Sequence, residues 1–202
     1  MKMRAFLATA SLATLLSLLP SAAARAQMGP AGSGRLISFG IGGGLSVPAN
    51  DAADALKSGV NGQAFACVNL PGLPIRPRVD VTFQHFDLKQ AQVVSPVATP
   101  GGTGTLLAGV ANVQVPLHHG FVEPYVVAGV GAYQVKADDG SGSASGTVSR
   151  THFGVNGGAG VRVKLTVVSL YVEGRVDNVY SDQGVIDAKS IQVVPVSFGL
   201  VY

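Results

Sequence analysis

The sequence predicts an all-β chain: an eight-stranded antiparallel up-and-down barrel that crosses a membrane with its strands. Three observations predict it. Apolar residues alternate with small or polar ones at a period of two in one segment after another. Charged residues make up only 12% of the chain while 27 residues are glycine, a poverty of charge that fits transmembrane strands better than an exported soluble domain. After the leader, no segment reaches the roughly 20 apolar residues that a spanning helix needs.

The leader is Met1-Lys-Met-Arg4, an apolar run from Ala5 to Leu19, and Pro20-Ser-Ala-Ala-Ala-Arg-Ala26 ahead of Gln27. That is the basic, apolar, small-residue order of a secretory signal, and cleavage is expected after Ala26. No Cys follows the site, so a lipoprotein anchor is not expected. Residues 27–34 read as a short Gly/Pro-rich lead and residues 35–202 as one barrel domain. Lys2, Arg4 and Arg25 account for three of the fourteen Lys and Arg, so eleven remain against eleven Asp and Glu. The mature chain is formally neutral, and no basic stripe survives to hold nucleic acid. Cys67 is the one cysteine, which excludes an internal disulfide and reads as an inert buried thiol.

Strand one is Ile37 to Val47, with Ile37, Phe39, Ile41, Leu45 and Val47 opposite Ser38, Gly40, Gly42, Gly44 and Ser46. Pro48 stops it, and Asn50 to Lys57 can cap and form about two helical turns inside a loop. Strand two spans about Gly62 to Leu70 and ends at the tight turn Pro71-Gly-Leu-Pro74. Strand three, about Arg76 to Leu88, sets Val79, Val81, Phe83 and His85 against Arg78, Asp80, Thr82, Gln84 and Phe86. A Pro/Gly/Thr segment leads to strand four, Thr105 to Val115, which turns at Pro116-Leu-His-His-Gly120 into strand five, about Val122 to Lys136. The Gly/Ser-rich segment Ala137 to Gly146 is a loop by composition. Strand six, about Thr151 to Val163, opposes Phe153, Val155, Ala159, Val161 and Val163 to His152, Asn156, Gly158, Gly160 and Arg162. In strand seven, about Ser169 to Val179, Leu170, Val172 and Val176 alternate with Tyr171, Glu173, Arg175 and Asp177. Strand eight closes the chain, with Val194, Val196, Phe198, Leu200 and Tyr202 on one face and Val193, Pro195, Ser197, Gly199 and Val201 on the other.

The connections alternate long and short throughout, which in a meander gathers all long loops at one end and all tight turns at the other. An even strand count returns both ends of the domain to the turn side, the arrangement of transmembrane barrels.

Alternation alone fits a soluble exported lipocalin-like ligand-binding barrel as well. The less apolar face decides between them, because a soluble barrel would stud it with Lys and Glu. Here it carries Gly, Ser, Asn and Gln, with charges of both signs at Arg78, Asp80, Arg162, Glu173, Arg175 and Asp177. These six, with Gln84 and Asn156, are expected to form one polar network that fills the lumen and closes it, in an interior only wide enough for side chains. The apolar face is expected to meet outer-membrane lipid.

Phe153-Gly-Val-Asn-Gly-Gly-Ala-Gly160, Pro124-Tyr-Val-Val-Ala-Gly-Val-Gly-Ala-Tyr133, Val172-Glu-Gly-Arg-Val-Asp-Asn-Val-Tyr180 and Pro195-Val-Ser-Phe-Gly-Leu-Val-Tyr202 resemble the bacterial outer-membrane β-barrel domain family, the small OmpA/OmpX-like barrels. The resemblance covers roughly Arg35 to the end. It implies the outer membrane of a Gram-negative-type bacterium, a monomer, and a structural or surface-interaction role whose loop ligand it does not name. It also implies that Phe198, Leu200 and Tyr202 form a C-terminal signal read by the barrel-assembly machinery, with Tyr where the family more often ends in Phe.

Other constellations carry no chemistry. The glycine groups at 40–44 and 157–160 resemble phosphate loops, yet strand alternation runs through both and neither opens a helix. His118 and His119 are adjacent, so their side chains point apart and cannot share a metal. Asp138-Asp139-Gly140 is too short of acids for a calcium loop. No Ser, His and acid fall in a spacing that predicts a triad, so neither catalytic residue, metal nor cofactor is assigned. If the chain were a small outer-membrane lipid-modifying enzyme, His85 and His152 would be the first residues to test.

Overall fold

The computed structural model describes residues 35–70, 72–89, 102–138, 147–180 and 190–202. The chain divides into Met1–Pro30 and Ala31–Tyr202, and every described residue belongs to the second unit. The leader, the lead at 27–34 and the Asp139-Gly140 pair therefore lie outside the described residues.

Eight strands follow in order: β1 (Ile37–Ala49), β2 (Gly59–Val68), β3 (Arg76–Asp87), β4 (Thr103–Pro116), β5 (Val122–Asp138), β6 (Thr147–Lys164), β7 (Ser169–Tyr180) and β8 (Ser190–Val201). One short helix, α1 (Asp51–Ala55), lies between β1 and β2. Each strand pairs antiparallel with the next, and β1 pairs with β8, so the sheet closes as an up-and-down barrel. Closure leaves no edge, and every strand finds ladder partners on both sides. The final residue takes part: Tyr202 N donates to Phe39 O at 2.7 Å and Phe39 N returns a bond to Tyr202 O at 2.8 Å.

The turns at 69–75, 117–121 and 165–168 lie at one end with Arg35 and Tyr202, here called the turn end. The opposite ends of the strands, with α1 after β1, form what is here called the loop end. Gly72 carries a φ of 81° in the β2–β3 turn, a left-handed conformation that a side chain would strain.

Period-two alternation sorts the side chains. Ile41, Val79, Val81, Phe153, Val172, Phe198 and Leu200 stand exposed on the outside, while Arg78, Asp80, Tyr125, Glu173 and Arg175 are buried inside. A wall with its oily face outward and its charges inward is inverted relative to a protein dissolved in water. Glycine serves the interior by leaving room. At Gly42 a Cβ would collide with the Tyr171 hydroxyl, which crosses the lumen to accept from Gln63 Nε2 at 2.9 Å.

Several boundaries differ from the sequence expectation. β2 begins at Gly59 and β6 at Thr147, both earlier than periodicity alone indicated. The reason in β6 is pairing: Ser149 stands opposite Lys136 and Thr147 opposite Asp138, so the cross-strand ladder extends the strand back through residues 147–150. Pro195 has no N–H, and beside it the β7–β8 ladder passes from Gly174↔Val196 to Asp177↔Val193 without the pairs between. Asn50 does not cap α1 through its side chain; its φ is 50° and its Nδ2 donates to Gln192 Oε1 on β8.

Candidate functional site in the barrel interior

The interior is stacked in storeys. The central one is a closed ring of four ion pairs, one within each of β3 and β7 and two crossing between these strands, which face each other across the barrel. Arg78 contacts Glu173 at 2.7 Å and Asp80 at 2.7 Å, and Arg175 contacts the same two carboxylates at 2.7 Å each. All four side chains are buried, and two cations balance two anions.

The surrounding wall satisfies the remaining lone pairs. Asn112 Nδ2 donates to Asp80 at 2.5 Å, Tyr125 Oη donates to Glu173 at 2.9 Å, and Arg78 donates to Gln114 Oε1 at 3.3 Å. The Arg78 guanidinium lies 3.5 Å from the centre of the Phe65 ring, so its flat face is covered as well as its edge. Such a ring is stable in a dry interior only because every charge has both an opposite charge and hydrogen bonds.

Toward the turn end a second storey surrounds one carboxylate. Glu123, fully buried, is held by Arg76 through both its oxygens and by Lys164 at 2.8 Å, with Arg162 at 3.8 Å and His119 Nδ1 at 3.7 Å. Toward the loop end, Gln84 Nε2 donates to Asp177 Oδ2 at 2.8 Å, again bridging β3 to β7. Above that the interior becomes apolar. Leu106, Ala108, Val110, Phe86, Tyr133, Val179, Ile191 and Val193 pack with Ala52, Ala55 and Leu56 from α1 and its end. The helix thus turns inward as a stopper, where the sequence indicated only a helix inside a loop.

The residues assigned from sequence do not form one cluster. Arg78, Asp80, Glu173 and Arg175 meet in the ring; Asp177 pairs with Gln84 above it; Asn156 is buried beside Asp177 in the β6–β7 register. Arg162 belongs to the separate Glu123 storey. The lumen is also not polar throughout, since inward positions on β4 and β8 near the loop end carry Leu, Val and Ile. Glu123, Arg76, Lys164, Tyr125, Asn112 and Gln114 were missed. Glu123 had a usable signal, being the one acid in the Val122–Val130 alternation and on the same face as Tyr125.

Elsewhere, Cys67 is fully buried against Phe65, Tyr171 and Val201. His118 and His119 are exposed on their turn. His85 sits on the outward face of β3 with Nδ1 3.5 Å from Thr105 Oγ1, whereas His152 shares the inward face of β6 with Asn156. Opposite faces of the wall cannot build one catalytic site. Both glycine groups lie within strands, β1 and β6. Phe198, Leu200 and Tyr202 all point outward, and Arg35 stacks 3.9 Å above the Tyr202 ring.

A closed barrel with an apolar exterior and a filled, charged interior is a transmembrane barrel of the outer-membrane class. Residues 9–196 match the model of the outer membrane protein beta-barrel domain, and the chain belongs to that family. Among solved structures it is similar to Neisserial surface protein A, at 16% identity and a TM-score of 0.61 over 86% of this chain and 97% of that one. A major outer membrane protein from Thermus thermophilus is similar at 16% identity and a TM-score of 0.53, over 83% and 99% of the two chains. At those identities the likeness is one of fold. No curated protein shows significant sequence similarity to the chain.

Proposed function

We propose that this outer-membrane barrel is a sealed, monomeric structural or surface-interaction protein, neither an open pore nor an enzyme. The observation that carries the reading is the ring of Arg78, Asp80, Arg175 and Glu173, which spans the lumen from β3 to β7. A solute would have to break a fully paired buried network and then displace the apolar stopper above it. Beside the ring, a cavity lined by Gln63, Thr82, Gln84, Arg175, Asp177 and Ser197 measures about 10 Å³, room for roughly one water. With the interior occupied by its own side chains, the surface available for partners is the loop end. The outward Phe198, Leu200 and Tyr202 suit reading of β8 by the assembly machinery, and the leader suits export with cleavage after Ala26.

Cell fractionation with heat-modifiable gel mobility, followed by planar-bilayer recording of the purified barrel, tests this. Outer-membrane recovery, a mobility shift on boiling and no sustained current are expected. A stable ion-conducting state of the unmodified protein would overturn the sealed reading.

A further inference from the structure

We propose that the turn end of the barrel holds the phosphate of an anionic phospholipid, in a cavity between the chain leading into β1 and the β2–β3 and β4–β5 turns. The proposal rests on the membrane-barrel reading and adds a ligand site to it. The cavity is about 620 Å³, and its lining includes Arg35, Arg76, His119, Asn69, Leu36 and Leu73. That volume is in the range of small-molecule sites, roughly 300–1,000 Å³.

Charge is the first argument. Among the described residues the turn end carries the cations Arg35, Arg76, Arg162 and Lys164, against Glu123 and the terminal carboxylate of Tyr202. Glu123 is 0% exposed, faces the interior and is absent from the cavity wall. The wall therefore presents Arg35 as its guanidinium without an ion-pair partner among the described residues, backed by Arg76 and His119, which turn toward Glu123 behind them. Arg35 makes no salt bridge with any described residue and is instead held flat on the Tyr202 ring, which fixes its position without using its charge. The loop end differs: Asp54, Asp87 and Asp138 are interspersed there with Lys57, Lys89 and Lys136.

The second argument is that the same mouth is oily. Leu36 and Leu73 are 57% and 53% exposed, and Ile75, Leu117 and Phe121 on the turns are exposed too. A site for a free anion would be polar all round. An arginine set into an apolar rim, at an end with more cations than anions, matches an amphiphile, with acyl chains against leucine and phosphate against Arg35. With the turn end on the periplasmic side, the available amphiphile is a phospholipid of the inner-facing leaflet.

The test uses isotope-labelled full-length mature protein in maltoside micelles, a detergent free of phosphate. Short-chain phosphatidylglycerol is titrated while backbone amide shifts are followed, with phosphatidylcholine of equal chain length, inorganic phosphate and an oligo-aspartate peptide as comparison arms. Saturable shifts confined to residues 35–36, 69–73 and 119, and given by phosphatidylglycerol alone, are expected. The double variant Arg35→Gln/His119→Gln should weaken that binding about tenfold, the loss of a charge-assisted hydrogen bond. Its heat-modifiable mobility should stay unchanged, because neither residue belongs to the buried ring.

An equal response to phosphatidylcholine, shifts spread over the whole lipid-facing band, or undiminished binding by the double variant would overturn the proposal. A matching response to inorganic phosphate or to oligo-aspartate would overturn it too, by reassigning the cavity to a free anion or an acidic peptide. A chain that fails to fold into micelles at all would instead overturn the membrane reading, with this site as a consequence.

Discussion

Replacing Glu173 with Gln isolates the energetic weight of the central ring. Glu173 accepts from Arg78 at 2.7 and 3.2 Å, from Arg175 at 2.7 Å and from Tyr125 at 2.9 Å. The amide keeps the shape but loses the charge, and it turns an N–H₂ donor toward groups that are themselves donors. Arg78 and Arg175 are then left sharing Asp80 alone, so a buried ring of zero net charge becomes a buried ring of one positive charge. Removing one partner of a buried pair costs about 3–5 kcal/mol. The double variant Arg78→Met/Glu173→Met removes one charge of each sign and leaves Arg175 with Asp80, so it should cost less than Glu173→Gln despite changing more atoms. The assay is urea-dependent folding into lipid vesicles, read by heat-modifiable mobility. A loss under about 1 kcal/mol for Glu173→Gln, the size of an exposed pair, would refute the buried-network argument. So would a double variant worse than the single one.

Three further outcomes follow from the same geometry. Val172 is 57% exposed on the outside of β7, so Val172→Arg should destabilise the vesicle-inserted barrel by about 2–4 kcal/mol and leave ring variants unaffected, as a urea titration would show. A Cβ on Gly42 would meet the Phe198 carbonyl oxygen at 2.5 Å as well as Tyr171, whereas one on Gly174 would meet nothing within 4 Å; Gly42→Ala should abolish the mobility shift and Gly174→Ala should retain it. Phe86 is buried in the stopper, and Phe86→Ala should cost about 3–5 kcal/mol in the same titration without opening a current in planar bilayers, because the ring below it remains intact.

Strand identity and facing were legible because alternation is a local property that survives without knowledge of partners. Arg78, Asp80, Glu173 and Arg175 could each be assigned inward from their own strands. What periodicity cannot carry is depth. Arg162 shares an inward face with Asn156, yet it sits near the turn end of β6, a distance along the barrel axis from the ring it was assigned to. Register decides that, and register depends on pairing across strands. The stopper was hidden for a related reason: Leu106 and Val110 are as apolar as lipid-facing residues, and only α1 folding inward makes them part of a core. Asn50 was a reasonable cap by residue type, and a longer-range bond to Gln192 claimed its amide instead.

The ring has a consequence for how the wall can be built. Arg78 and Asp80 are two apart on β3, and Glu173 and Arg175 are two apart on β7, each pair bonded within its own strand. Either ribbon can therefore carry its ring cation and anion into a low-dielectric environment already paired before its distant counterpart arrives, deferring the cross-lumen exchange of partners to the moment of closure. Had the two basic residues stood on one strand and the two acids on the other, each would have had to wait, doubly charged, for the far side of the cylinder.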